Sequence, residues 1–330
     1  MTGWRGLLSG AGDGTNRALL ATIAAAMLAF GLVVGDGFFS FAAMRSMAFQ
    51  MPELGILSLA MMVTLLSGGI NLAVIATANL SALAMAWVLT GFVPGSEGPA
   101  WVAWQGAAIA AGFAVAAAAG LLNGVLIAYL RVSPILATLG TMTLLKGLAI
   151  GLTRGEVLSG FPEPILYLGN GTLLGVPAGL YLFAATAVLV AIILGRTPLG
   201  AAIVMIGSNE KAARFSGIDT RAVIVRVYLM SGLLAGLAAL VMMARFNSAN
   251  AAYGESYLLV TILAAVLGGT NPMGGAGRVG GLVLALVLLQ VVSSGFNQLD
   301  VSPFLTLAIW GVILLAVTGL AARRAREGTV

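Results

Sequence analysis

The chain has 330 residues, a mean hydropathy of +1.06, 60% hydrophobic residues and only 8% charged residues. Soluble domains carry about 25% charged residues, and no polar stretch here is long enough to hold a sizeable water-soluble domain. There is no Cys and no His, which excludes disulfides and thiolate metal sites and removes the usual near-neutral acid–base group.

Apolar runs of about 20 residues, each enough for a hydrocarbon core of about 30 Å, recur along the chain. In order they predict ten spans, at about 18–35, 51–69, 70–93, 101–130, 134–152, 174–195, 222–244, 256–271, 278–298 and 303–322. The first run, from Ala18, is long enough to stay as a span, with no clear small-residue cleavage site after it. Gly106–Gly120 is continuously apolar and rich in Ala and Gly, the pattern of a packed helix rather than of a barrel strand. The expected fold is all-α: a polytopic transmembrane helical bundle of about ten spans with broken helices. Residues 1–330 form a single membrane domain, with tails at 1–17 and 323–330.

The net charge of +5 is distributed as membrane topology requires, not as a nucleic-acid footprint. With both termini cytoplasmic, the inside holds Arg5, Arg17, Arg131, Arg196, Lys211, Arg214, Arg221, Arg226, Arg278, Arg323, Arg324 and Arg326. The outside holds only Arg45, Arg154 and Arg245, while Lys146 lies within a span. That asymmetry follows the positive-inside rule.

Two breaks interrupt apolar regions, Ser67-Gly68-Gly69-Ile70-Asn71 and Leu267-Gly268-Gly269-Thr270-Asn271 with Pro272-Met273-Gly274-Gly275 behind it. Both read Gly-Gly-x-Asn. Matching interruptions in two halves of a membrane protein mark a solute path; tight turns between helices would give the same pattern.

The chain lacks GxxxxGK[ST], paired carboxylates within a span, HExxH and a nucleophile elbow, so phosphate-loop and hydrolytic chemistry have no residues to carry them. Lys146 is the clear mid-span ionisable group, placed where it can snorkel, and Glu53 lies at a span entrance. Energy for transport must therefore come from a partner.

The most charged segment inside the apolar chain is Gly207–Asp219. Asn209 can cap a short helix whose first residue, Glu210, suits the positive N-terminal end. Lys211 and Arg214 share one side, Ala212, Ala213 and Phe215 supply apolar surface, and Gly217 can terminate the helix. Composition alone leaves two readings open, a solvated loop helix and a docking knob for a soluble partner.

Several stretches, in order and spacing, resemble the membrane subunits of bacterial ABC importers for sugars, the ribose/monosaccharide permease family. They are Asn123-Gly124-Val125-Leu126-Ile127, Val132–Met142, Gly207-Ser208-Asn209-Glu210, Ala212-Ala213-Arg214, Ser216-Gly217-Ile218, Ala264–Thr270 and Gly274–Arg278. The resemblance covers roughly residues 50–320. It implies that 207–219 is a cytoplasmic coupling helix seated in a groove of an ATP-binding cassette subunit, with Asn209, Glu210, Lys211, Arg214, Phe215 and Gly217 at that contact. ATP and Mg would be bound by that partner and no cofactor by this chain. It further implies a periplasmic solute-binding protein, a second permease (a homodimer or a heterodimer) and a bacterial inner-membrane location, with no nucleic acid. Many members carry Gly-Gly-Ile-Asp-Leu-Ser-Val-Gly at the first break; this chain has Gly68-Gly69-Ile70-Asn71-Leu72-Ala73-Val74-Ile75, an amide where a carboxylate is usual.

Thr77, Asn79, Gln105, Asn123, Thr138, Thr141, Gln290 and Asn297 are further polar residues on spans. Such groups bond across helices or line a path; Asn71, Asn79 and Thr141, with the breaks at Gly68, Gly69, Gly268 and Gly269, are the path candidates. Neutral amides and hydroxyls suit a neutral polyhydroxy solute. Asp36, Glu53, Glu97, Glu156, Glu163, Glu255 and Asp300 are expected at the outer face, facing the binding protein. The function expected is a permease for a monosaccharide or polyol. The alternatives are another cargo (an autoinducer-like furanose, a nucleoside or a branched-chain amino acid) or an ion-coupled secondary carrier.

Overall fold

The computed structural model describes the backbone of residues 3–327 and the side chains of residues 14–319 except Asp36. Of the expected tails, residues 1, 2 and 328–330 lie outside the described residues, as do the side chains of Arg5, Arg323, Arg324 and Arg326. The helices are α1 Gly3–Val34, α2 Phe41–Leu66, α3 Val74–Phe92, α4 Gly98–Ala128, α5 Pro134–Thr153, α6 Glu163–Asn170, α7 Ala178–Arg196, α8 Pro198–Ser208, α9 Glu210–Phe215, α10 Thr220–Phe246, α11 Tyr257–Leu267, α12 Val279–Gln298 and α13 Pro303–Glu327. Eight of these, among the described residues, are long and apolar enough to cross a membrane: α1, α2, α3, α4, α5, α7, α10 and α12.

Helices start where the sequence supplies a side-chain acceptor for the first free amides. Ser40 caps α2, Ser133 α5, Thr197 α8, Asn209 α9 and Asp219 α10. Proline stands in the first turn of α5 and α8, where its missing N–H removes nothing.

Several elements differ from the sequence expectation; the first helix, for one, begins at Gly3 rather than near Ala18. The second helix begins at Phe41, ten residues before the expected Met51, because Arg45, Ser46 and Gln50 sit on an otherwise apolar helix. Arg45 lies over the Phe49 ring at 5.5 Å. The stretch expected to cross at 256–271 is helical for only 11 residues, Tyr257–Leu267, or about 16 Å at 1.5 Å per residue. Gly268 and Gly269 stop it. The short helices α6 and α8 were not expected.

α2 and α10 form the buried centre, flanked by α3 and α4. α4 and α10 make the most extensive helix pair. Gly120 and Gly124 of α4 lie against the α10 backbone at Tyr228, Leu229 and Val225, and Gly232 and Gly236 of α10 lie against Ala116. Small residues four apart on both helices let the backbones approach closely, the usual device where lipid offers no hydrophobic drive. α1, α5 and α7 expose Leu32, Leu136, Val188 and Leu189, an apolar exterior that suits hydrocarbon.

The short connections collect at the end of the bundle opposite α9. Two-residue strands pair there: β1 Leu158–Ser159 with β4 Ser248–Ala249, in register Leu158↔Ala249, and β2 Thr172–Leu173 with β3 Val176–Pro177. Asn170 donates to the carbonyls of Ala244 (2.9 Å) and Arg245 (3.2 Å), closing the C-terminal end of α10. The basic residues expected inside that have described side chains fall at the α9 end or on the first turns from it, while Arg45, Arg154 and Arg245 fall at the other.

Candidate functional site

The first break is a true interruption. From Ser67 to Ala73 the chain leaves α2 and runs without helix before α3 begins at Val74. Unwound backbone inside an apolar bundle needs internal partners. The Ile70 carbonyl accepts from the hydroxyls of Tyr228 on α10 and Thr138 on α5, both at 3.3 Å. Asn71 is buried; its Oδ1 accepts from the Ala73 amide at 3.1 Å and its Nδ2 donates to Ser231 Oγ on α10 at 2.9 Å. The amide at this position thus turns the chain and pins it to the central helix.

The other path candidates are also buried. Thr141 donates to Asn123 Oδ1 at 2.6 Å, joining α5 to α4. Asn79 donates to the carbonyls of Ala251 (3.0 Å) and Tyr253 (2.9 Å), holding the loop after α10. Asn71 and Thr138 therefore meet at the first break, Thr141 lies one turn further along α5, and Asn79 bonds to the loop after α10.

The second break folds back on the first. Gly275 donates its amide to the Leu66 carbonyl at 3.0 Å. A Cβ on Gly274 would lie 2.7 Å from the Gly68 nitrogen and 2.8 Å from Gly207 Cα. A methyl on Gly207 would overlap the Leu66 carbonyl and the Gly275 amide. Gly68 and Gly274 have φ of +80° and +93°, a region that disfavours any side chain. Three distant segments thus meet backbone to backbone, and the third lies two residues before Asn209. Gly268 instead packs on Gly281 and Leu282 of α12.

From that junction the chain enters α9. Asn209 Oδ1 accepts from the Ala212 amide at 3.0 Å, Glu210 occupies the first turn, and Gly217 (φ +82°) ends the helix. Ala213 is buried against the bundle, whereas Phe215 is 93% exposed. Lys211 and Arg214 are exposed beside it. The helix is thus capped, anchored by one alanine, and presents a bare phenylalanine among charges. A cleft of about 410 Å³ flanks it, lined by Ser67, Gly68, Arg131, Glu210, Arg214, Arg221 and Tyr228 among others.

At the opposite end a larger cavity, about 500 Å³, lies between α2, α11, α12 and α13. Its walls are Ser40, Ser46 and Gln50 from α2, Ser256 and Tyr257 at the start of α11, Gln290, Ser293, Ser294, Asn297 and Gln298 from α12, and Thr306 and Trp310 from α13. Leu54, Val260, Leu289 and Leu307 supply apolar surface. Gln290 donates to Gln50 Oε1 at 3.3 Å across it. Among the described residues, no lining side chain is charged. Gln290 and Asn297 were visible in the sequence only as polar residues on spans. The serines were passed over because each is unremarkable alone; the recurrence of polar residues at Ser46 and Gln50, and at Gln290, Ser293, Ser294 and Asn297, is the helical spacing that could have found the face.

The expected row of outer acids is corrected in one place: Glu53 is 1% exposed and pairs with Arg245 at 2.6 Å. Glu255 is exposed and pairs with Lys146 at 2.6 Å. Glu97, Glu156, Glu163 and Asp300 are exposed; the Asp36 side chain lies outside the described residues.

Residues 43–318 match the family described as branched-chain amino acid transport system / permease component. The ribose import permease protein of Bacillus subtilis is 34% identical over 79% of this chain and 79% of its own length. The autoinducer 2 import system permease protein of Photorhabdus temperata is 32% identical over 81% of this chain and 79% of its own. The L-arabinose transport system permease protein of Escherichia coli is 30% identical over 90% and 88%. No solved structure matches.

Proposed function

The chain belongs to the branched-chain amino acid transport system permease component family, and on that premise we propose that it is the membrane-spanning permease of an ABC importer for a monosaccharide or polyol. The observation that carries the cargo class is the cavity of about 500 Å³ that, among the described residues, has no charged lining and is walled by serines, amides, Tyr257 and Trp310. Hydroxyl and amide groups donate and accept alike and so suit the hydroxyls of a sugar, while aromatic rings suit its apolar face. An anionic solute would call for fixed positive groups. Relatives named for ribose, L-arabinose and autoinducer 2 import support the same class.

The chain works with an ATP-binding cassette subunit that holds ATP and Mg, with a periplasmic binding protein, and with a second permease. α9 is the coupling helix and faces the cytoplasm of the bacterial inner membrane, as do both termini; the clustering of basic residues at its end supports that orientation. The cavity then opens outward. Closure of the ATPase pair pulls α9, and the glycine junction passes the pull to α2 and to the α11–α12 loop. α2, α11 and α12 are three of the four helices that wall the cavity, so one displacement at α9 reaches both its sides.

Purification of the detergent-solubilised chain from its native membrane tests this. The expected result is an ATP-binding subunit that co-purifies with the chain, and whose ATP hydrolysis no longer drives uptake when Glu210→Lys and Arg214→Glu are combined. Recovery of the chain alone, active in ion-driven uptake, would favour a secondary carrier instead.

A further inference from the structure

The cleft of about 410 Å³ beside α9 is lined by three arginines from three separate elements. Arg131 stands in the turn between α4 and α5, Arg214 on α9 and Arg221 in the first turn of α10. Among the described residues none of the three is in an ion pair, and Glu210 is the one carboxylate on the lining. Positive charge is therefore in excess. Two of the arginines are also held in place. The Arg221 guanidinium lies 5.7 Å from the centre of the Tyr129 ring, and its residue is half-buried. Arg131 has a φ of +56°, the left-handed conformation that glycine usually supplies where a helix ends. An arginine there is strained, and the strained position puts it on the cleft wall.

The rest of the lining completes a site for an anion. Ser133 Oγ accepts from the Leu136 amide at 3.5 Å, which leaves its proton to donate. Ser133 and Pro134 begin α5, a helix of 20 residues, so the positive end of its dipole abuts the cleft. Ile127, Ile206 and Ile224 supply apolar wall. Guanidinium forks match the oxygens of a phosphate, whereas a neutral solute gains little from them. Position gives the consequence. Ser67, Gly68 and Gly69 of the first break line the same cleft. An anion held by Arg131, Arg214 and Arg221 together ties α9 to the α4–α5 turn and to α10.

We propose that this cleft is a regulatory site for a phosphate group presented from the α9 side, and that its occupancy holds α9 and slows transport. The inference rests on the permease reading, in which α9 must move. Two sources carry that chemistry to the cleft. One is the headgroup of an anionic lipid. The other is a soluble phosphate ester, formed when an ATP-dependent kinase phosphorylates an imported sugar. A product of that class restrains the import of its own precursor.

The test uses the chain with its co-purified ATPase in nanodiscs, with D-ribose 5-phosphate and phosphatidylglycerol as probes. Arg131→Gln and Arg221→Gln are the variants, because neither residue is placed at the ATPase contact. In phosphatidylcholine discs, calorimetric titration should show ribose 5-phosphate binding that each variant weakens about tenfold or more, the loss of one charge-assisted hydrogen bond. A readout that needs no variant is competition: inorganic phosphate should displace the ester and D-ribose should not. The bound ester should slow ATP hydrolysis several-fold in the wild type and spare the variants, whose hydrolysis without it matches the wild type. Thermal stabilisation confined to phosphatidylglycerol discs, and lost in both variants, keeps the phosphate site and assigns its source to lipid. Binding of neither probe, binding that both variants keep, or unchanged hydrolysis at saturating probe overturns the proposal. Loss of the ATPase from Arg221→Gln also overturns it, making the cleft part of the docking surface. If no ATPase co-purifies with the wild type, the permease reading has failed, and titration of the chain alone still decides whether the cleft binds phosphate.

Discussion

At the scale of single residues, the account rests on side chains that satisfy what the broken backbone leaves open. Asn71 carries two hydrogen bonds, accepting from the Ala73 amide and donating to Ser231 Oγ. Asn71→Leu would strand both, at about 1–3 kcal/mol each. The expected outcome is a lower melting temperature and loss of uptake, with the ATPase still co-purifying; wild-type uptake would remove Asn71 from the working structure. Gln290 differs because it faces the cavity and meets Gln50 from the opposite wall. Gln290→Leu should leave stability nearly unchanged and reduce uptake about tenfold, a hydrogen bond's worth of solute binding. Equal uptake would move the path elsewhere. The sequence displayed both residues as polar groups on apolar runs, but it could not tell a structural amide from a cavity amide. That distinction depends on which helix lies opposite, and Ser231 and Gln50 are 160 and 240 residues away from their partners.

At the scale of elements, α9 and its junction were legible to different degrees. The cap at Asn209, the stop at Gly217 and the exposed Phe215 follow from residue type and spacing alone. The two Gly-Gly-x-Asn breaks were also visible. Their meeting with Gly207 was not, because glycine in a sequence does not say which backbone it admits. The same limit hid the start of α2, where Ser46 and Gln50 interrupt the apolar pattern because they face the cavity. Gly207→Ala puts a methyl into the Leu66 carbonyl. It should lower thermal stability and leave ATP hydrolysis running without uptake; wild-type stability together with wild-type uptake would mean that the junction has slack and passes nothing on. Combined Glu210→Lys and Arg214→Glu alters only the exposed face of α9, so it should uncouple without destabilising.

At the scale of the whole molecule, the claim is a bundle with its basic end and α9 in the cytoplasm and its cavity open to the other side. The absence of cysteine makes orientation directly readable. Phe215→Cys and Leu174→Cys change residues that are each 93% exposed, at opposite ends. In intact inner-membrane spheroplasts, an impermeant thiol reagent should label Leu174→Cys and spare Phe215→Cys; the reverse pattern would invert the topology. Above orientation stands the energy source. The most direct measurement is sugar uptake by proteoliposomes holding the chain, its ATPase and its binding protein, with ATP supplied on the α9 side and ionophores added to collapse every ion gradient. The account predicts uptake that requires ATP, ignores the ionophores, and disappears in the Glu210→Lys, Arg214→Glu variant while hydrolysis continues. Uptake by the chain alone, needing no ATP and abolished by the ionophores, would contradict it.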